Sequence, residues 1–263
     1  YTDIPQILRD FLTYHENIKG QSPRTISEYY LDLRMFFRFI KLMRSDMPIN
    51  TRLDDIPIKD VNLELIGSVK TSDVFDFLSY LANDRTPNPD AAYPDYGIET
   101  AARARKLSAL KSFYKYLTVK AGKLTNNPAK DIESPKKPKQ LPKYLSLDES
   151  LKLLDSVQKG SEHYYRDFCI ITLFLNCGMR LSELVGINLT DIESDLSKMT
   201  VTGKGNKTRV IYLNDSCKSA ISSYLIARQK EISQPGFSLK DKNALFISSR
   251  GNRISNKTVQ WMI

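Results

Sequence analysis

At 263 residues, with an ordinary apolar share of 41% and 26% charged side chains, the chain is long enough for two globular domains and fits no fibrous or low-complexity class. No run approaches the roughly 18 apolar residues of a membrane span, and the start YTDIPQILRD lacks the basic flank and apolar stretch of a signal peptide, so a cytoplasmic protein without a membrane partner is expected. The formal charge of +9 is concentrated: residues 101–143 hold twelve Lys and Arg against only Asp131 and Glu133, the footprint expected where a protein neutralises backbone phosphates, with a solvated charged helix and linker as the other reading.

Four helices are predicted before mid-chain. The first opens at Asp3-Ile4-Pro5, sets Ile4, Ile7, Leu8, Phe11 and Leu12 at helical spacing and stops at Gly20. In the second, Ser22 can cap and Pro23 suits the first helical position. Ile26, Tyr30, Leu33, Phe37 and Ile40 then form the inward stripe, leaving Arg24, Arg34, Arg38 and Lys41 outward or flanking. The third runs from about Ser72 through Val74, Phe75, Leu78 and Leu81, and the Pro- and Asp-rich segment after it reads as loop. The fourth, about Thr100 to Ala121, clusters Leu107, Leu110, Tyr114 and Leu117 on one face and Arg105, Ser108, Lys111, Ser112 and Lys115 on the opposite arc. That basic, hydroxylic arc suits a helix laid in or across the major groove, and an ordinary amphipathic surface helix has the same pattern.

A strap follows, with Pro128, Pro135, Pro138 and Pro142 among Lys130, Lys136, Lys137, Lys139 and Lys143. Prolines at this density bar helix and favour an extended segment able to track a phosphate backbone. The expected organisation is therefore a helical domain over 1–122, a basic linker over 123–143 and a second domain over 144–263.

The second domain starts with a capping box, Ser146 to Glu149, ahead of a helix bearing Leu151, Leu154 and Val157. A strongly apolar helix with Phe168, Ile171, Leu173, Phe174 and Leu175 mostly in the core should end at Gly178, and a short helix from near Ser182 carries Leu184, Val185 and Ile187. MTVTGKGNKTRVIYL reads as a β-hairpin turning at Gly203 to Asn206. A helix from about Ser216 to Ile232, a strand ALFIS, a turn at Gly251-Asn252 and a helix opening at Ser255 complete the pattern, and that last helix reaches Ile263 without a terminator, as if cut within an element. Cys169, Cys177 and Cys217 show neither zinc-site spacing nor disulfide density and read as reduced packing residues. His15 and His163 read as surface residues.

Two features carry chemistry. Arg180, in CGMRLSEL, lies between a cap glycine and a new helix, where its planar fork can bind a phosphate while Glu183, one turn on, orients it; a structural Arg–Glu pair closing the junction is the other reading. Lys204, between Gly203 and Gly205, can reach a phosphate or a leaving oxygen, or is a solvated turn lysine.

Taken together, GMRLSEL, an aspartate in TDI and then TGKGNKTR before an apolar strand resemble the amino-terminal half of the catalytic domain of tyrosine recombinases, the phage-type integrase family, and its Xer-type members most closely. Upstream, KGQSPRTISEYYLDLRMFFRFI is similar to that family's second DNA-binding helix, and ARARKLSALKSFYKYL with NPAKDIESPK to its fourth helix and linker. The resemblance implies a mainly α fold with a small β-hairpin: a four-helix, SAM-like core-binding domain followed by an incomplete α+β catalytic domain. It implies site-specific recombination by a metal-free, ATP-independent transesterification through a 3′-phosphotyrosine, with no cofactor. Arg180 then stabilises charge on the scissile phosphate, Glu183 supports it, and Lys204 is the general acid to the departing 5′-oxygen.

DNA contacts are expected from Ser22, Arg24 and Thr25, from Arg105, Ser108, Lys111, Ser112 and Lys115, from Lys136, Lys137, Lys139 and Lys143, and from Lys207. The implied partners are double-stranded DNA and further recombinase copies, as a dimer or tetramer on DNA, with a second recombinase among the options. The family's His-x-x-Arg motif, later His or Trp and nucleophilic Tyr fall after Ile263 by this resemblance, so these 263 residues are expected to bind DNA without cleaving it. A regulator or decoy that keeps the DNA-binding halves without the nucleophile is the alternative, and a topoisomerase using the same chemistry is a third.

Overall fold

A computed structural model describes residues 3–45, 51–86, 96–136, 141, 143–203 and 205–263. The chain divides into two compact units between residues 140 and 141. The first unit consists of α1 (Gln6–Thr13), α2 (Pro23–Arg44), α3 (Leu63–Gly67), α4 (Thr71–Asn83) and α5 (Thr100–Lys115). Both α1 and α5 run on into a π-helical turn, Tyr14–Ile18 and Tyr116–Lys120.

Local chemistry starts α2 where the sequence placed it: Ser22 Oγ accepts from the Thr25 amide at 3.3 Å, with Pro23 at the first turn. Its inward stripe is buried as expected, and Leu107, Leu110, Tyr114 and Leu117 of the α5 region are all buried. The core is aromatic: Phe11 meets Phe113 edge-on at 5.3 Å, and Phe36 meets Phe77 at 5.2 Å. On α4 the expected stripe needs correcting. Val74, Phe77 and Leu81 face inward while Phe75 is 55% exposed, because Phe77 and Leu81 lie three and seven residues after Val74 and Phe75 is rotated about 100° off that face.

Three basic side chains of α2 are engaged within the unit. Arg34 Nη1 donates to the Tyr30 hydroxyl at 2.8 Å, Arg38 Nε to the Ile56 carbonyl at 2.9 Å and Lys41 Nζ to Asp60 at 2.7 Å. A deeper lock joins α2 to α5: buried Asp32 accepts from Lys106 Nζ at 2.8 Å and Arg105 Nη1 at 2.6 Å, and Lys106 is itself buried. Burial pushes the Asp32 carboxyl up, against the pull of Lys106 and Arg105. Ala129 and Ile132, inside the segment expected as linker, are buried in this unit's core, and Thr71 Oγ1 donates to the Pro128 carbonyl at 3.0 Å.

The second unit contains α6 (Leu147–Asp155), α7 (Tyr164–Cys177), α8 (Leu181–Gly186), the hairpin β1 (Lys198–Thr202) and β2 (Thr208–Tyr212), α9 (Asp215–Ile232) and α10 (Asn256–Met262). The capping box of α6 is formed, Ser146 N donating to Glu149 Oε2 at 2.8 Å. Helix α7 stops at Gly178, whose φ of 54° and ψ of 34° lie in the left-handed region that a side chain disfavours. The hairpin is antiparallel, pairing Met199 with Ile211 and Val201 with Arg209. Cys177 and Cys217 are free thiols 3.8 Å apart, Cys177 only half-buried. Among the described residues no helix is long and apolar enough to cross a membrane.

The expected strand ALFIS is not a strand. Ala244 and Ile247 make single bridges to Asn188 and Arg253, and Leu245, Phe246 and Ile247 are all buried. Scattered backbone partners and side chains share this segment's polar groups: Leu245 N donates to the Ile187 carbonyl at 3.0 Å and Ser248 N to the Asn252 carbonyl at 2.8 Å, and the Phe246 carbonyl accepts from Ile254 N at 3.0 Å. Tyr224 Oη donates to the Leu245 carbonyl at 3.1 Å and accepts from the Ile247 amide at 3.2 Å, and Arg228 Nη2 donates to the Ala244 carbonyl at 3.0 Å.

Candidate functional site

In the second unit one helix ends and the next begins within a few residues, and that junction positions Arg180. Gly178 ends α7, Arg180 becomes the N-cap of α8 with φ −77° and ψ 153°, and Glu183 folds back to accept from the Arg180 amide through Oε2 at 2.8 Å. The same carboxylate takes Arg180 Nη1 on Oε1 at 2.7 Å. Glu183 is 1% exposed, whereas the Arg180 side chain is 70% exposed. A buried carboxylate thus fixes one edge of a guanidinium whose remaining donors face outward.

Arg209 closes the arrangement, and sequence reasoning missed it. Its Nη1 and Nη2 donate to Glu183 Oε1 and Oε2, both at 2.9 Å, so one carboxylate holds two arginines and accepts four hydrogen bonds. Two cations against one anion leave the cluster positive, as an anion site requires. No local signal marked it: Arg209 lies opposite Val201 in the hairpin with its side chain 41% exposed, and only the fold brings its fork to the buried carboxylate.

Gly203 belongs to the same cluster. A Cβ there would stand 2.9 Å from Glu183 Oε1 and 3.7 Å from Arg180 Nη1, so the start of the hairpin turn lies directly on the carboxylate. The turn closes by Gly203 N donating to the Lys207 carbonyl at 2.7 Å, with Gly205 at φ 75° and Asn206 at φ 59°. Lys204, the expected general acid, lies outside the described residues. Lys207 is described and exposed.

Glu183 is held from its ordinary 4.5 down to about 2, first by the Arg209 hydrogen bonds and then by the Arg180 amide and guanidinium, against burial. A carboxyl depressed on folding stabilises the fold above its unfolded value, and this contribution disappears as pH falls from 4.5 toward 2. Urea melts across that window should show the second unit losing stability. Glu183→Gln should start about 2–3 kcal/mol lower at neutral pH, near the low end for a broken buried pair because both arginines can reach water, and should lose less on acidification. An unchanged acid slope in the variant would exclude Glu183 as the titrating group.

In the first unit the expected DNA-facing residues fall into two groups. Arg24, Ser108, Lys115 and Lys136 are exposed, Lys111 and Ser112 half-buried. Others are already engaged. Arg105 Nη1 is shared between Glu28 at 2.5 Å and Asp32 at 2.6 Å, and the Ser22 and Thr25 hydroxyls lie 3.0 Å apart at the cap. In the second unit Lys143 is exposed; Lys137 and Lys139 fall outside the described residues. His15, expected at the surface, is 8% exposed: it packs on Phe11 at 4.5 Å, and its ring nitrogens meet Gln21 and Ser112. Among the described residues no group of three or more His, Cys, Asp or Glu is placed to hold a metal ion.

Comparison with known proteins gives consistent results. Residues 143–263 match the family model described as phage integrase family. The chain is 48% identical over 259 residues to the tyrosine recombinase XerC of Caldanaerobacter subterraneus subsp. tengcongensis, covering 98% of this chain and 67% of the relative. It is 31% identical to the tyrosine recombinase XerC of Myxococcus xanthus, over 98% of this chain and 75% of that protein. In fold it is similar to a lambda integrase dimer bound to a core DNA site, with a TM-score of 0.59 at 17% identity, covering 97% of this chain and 78% of the other.

Proposed function

The chain belongs to the phage integrase family of tyrosine recombinases, a membership that supports site-specific DNA recombination, and from that premise we propose that its second unit activates the scissile phosphate and its first unit holds the duplex. The observation that carries the catalytic half is the exposed Arg180 guanidinium locked from behind by buried Glu183. A phosphate meeting it finds a cation already oriented, so little reorganisation is needed as charge builds on the non-bridging oxygens. Arg209 acts through Glu183 and keeps Arg180 in place. Lys204 delivers the proton to the leaving 5′-oxygen. The reaction joins the 3′-phosphate to a tyrosine, storing the bond energy for rejoining; none of the fourteen tyrosines in this sequence is assigned as that nucleophile.

Partners in this reading are double-stranded DNA and further recombinase copies bound on it. The basic segment 101–143 supports the DNA half, and salt dependence tests it. Log affinity for duplex should fall linearly with log salt, and changing Lys136, Lys137 and Lys139 together to Ala should lower the slope by up to about three units, at roughly 0.9 per lost contact. An unmoved slope would remove these lysines from the interface.

A further inference from the structure

The π-helical turns that close α1 and α5 come together with the Tyr14 and Tyr116 rings 5.1 Å apart, beside a recess of about 410 Å³. A π turn is wider than an α turn and displaces its side chains from the usual helical positions. Here Lys19, Ser112, Lys115 and Lys120 line one opening. Among the described residues none of these three lysines is ion-paired, unlike Arg38, Lys41 and Arg44 of α2. Like charges gathered at one recess repel unless an anion lies among them.

The recess is also lined by His15, buried and without a carboxylate among its hydrogen-bond partners. Its Nδ1 is 3.1 Å from Gln21 Oε1 and its Nε2 is 3.3 Å from Ser112 Oγ. An amide oxygen only accepts, so Nδ1 carries the proton, and in the neutral ring Nε2 accepts from the Ser112 hydroxyl. That hydroxyl's proton then points inward. In the cationic ring Nε2 becomes a donor, Ser112 Oγ accepts, and the hydroxyl proton is free to bond elsewhere. Burial, with a smaller push from Lys19, lowers the His15 pKa, so the empty recess favours the neutral ring.

We propose that this recess is a site for a nucleic-acid backbone phosphate, held by Lys19, Lys115, Lys120 and Ser112, and that filling it draws a proton onto His15. The proposal rests on the DNA-binding reading above and adds to it a subsite and a coupled proton. A phosphate dianion equivalent is not required; the single negative charge of a phosphodiester already favours the imidazolium beneath it. The sign follows from linkage. His15 has the higher pKa in the complex, so affinity is lowest above that value, rises as pH falls through it, and levels off below the value of the free protein. The other charged or titratable groups around the ring are Tyr14 and Lys19 on its own turn, Tyr29 from α2, and Lys115, Tyr116 and Lys120 from the end of α5. Histidine is the side chain whose ordinary pKa brings its charge change near neutrality.

The test titrates the full chain with a mixed-sequence duplex at fixed salt, since phosphate contacts carry no base readout. Fluorescence anisotropy gives the Kd from about pH 8 down to about pH 5.5, across the histidine range, while NMR follows the His15 ring. Expected are a His15 titration midpoint that moves up on adding duplex, and a Kd that falls by up to about tenfold per pH unit between the two midpoints. His15→Gln should abolish that pH-dependent gain. Lys120→Ala should weaken binding and reduce the salt slope by about 0.9. If His15→Gln fails to fold, the midpoint shift in the unaltered chain still decides. A midpoint that duplex leaves in place, or a pH dependence identical in the chain and in folded His15→Gln, overturns the site while leaving DNA binding intact. Absence of duplex binding at any pH overturns both readings.

Discussion

Arg180→Ala in the whole protein is expected to leave duplex binding in place and to lower strand cleavage by about a hundred- to a thousand-fold, the usual cost of removing one preorganised donor from a developing negative charge. The substitution is clean because the local fold does not depend on the guanidinium. Glu183 keeps its bond to the Arg180 amide at 2.8 Å and its two bonds to Arg209, so α8 still starts where it does. Lys204→Ala should lose cleavage on a similar scale, about a hundred- to ten-thousand-fold for a general acid, but for a different reason. A substrate whose bridging 5′-oxygen is replaced by sulfur releases a thiolate that needs no proton. It should rescue Lys204→Ala and not Arg180→Ala. Equal rescue of both, or rescue of neither, overturns the proton-donor role of Lys204. Full cleavage by Arg180→Ala overturns the site itself.

The largest expected loss of stability is at Asp32, in the first unit. Asp32→Ala should cost the first unit about 3–5 kcal/mol, because it leaves the Lys106 ammonium buried without its counter-charge. Lys106 is 6% exposed and Asp32 2%, so neither can turn to water without opening the α2–α5 contact. Arg105 keeps Glu28 at 2.5 Å and contributes less to the loss. Urea unfolding of the single variant, set against Asp32→Leu combined with Lys106→Met, separates charge burial from lost packing. The double variant should recover most of the stability, as apolar replacements of buried pairs often do. If the double variant is as unstable as the single one, packing and not the uncompensated charge is responsible.

How far the sequence reaches differs between local and long-range features for physical reasons. The start and inward stripe of helix α2 were legible, since Ser22, Pro23 and a five-residue apolar stripe are local signals, each acting within a turn or two of chain. The end of α7 at Gly178 and the Arg180–Glu183 pair were legible for the same reason, being three residues apart on one junction. The rest depended on partners distant in the chain. Nothing near Arg209 reveals that it shares a carboxylate with Arg180, a contact spanning 26 residues, because the hairpin register that brings it there forms only when β1 and β2 pair. ALFIS has the composition of a strand, yet its backbone bonds to scattered loop groups, to the hydroxyl of Tyr224 and to the guanidinium of Arg228, and no periodicity within five residues encodes which donor reaches a carbonyl. His15 read as a surface residue because part of its enclosure comes from distant chain, Tyr29 of α2 and Ser112 of α5, 97 residues away. The sequence by itself determined the starts of α2 and α6 and the end of α7, through interactions confined to a few neighbouring residues. The tertiary structure alone decided which charges are paired: Asp32 with Lys106, Glu183 with Arg209, and His15 with no carboxylate, since pairing depends on distances that only the folded chain sets.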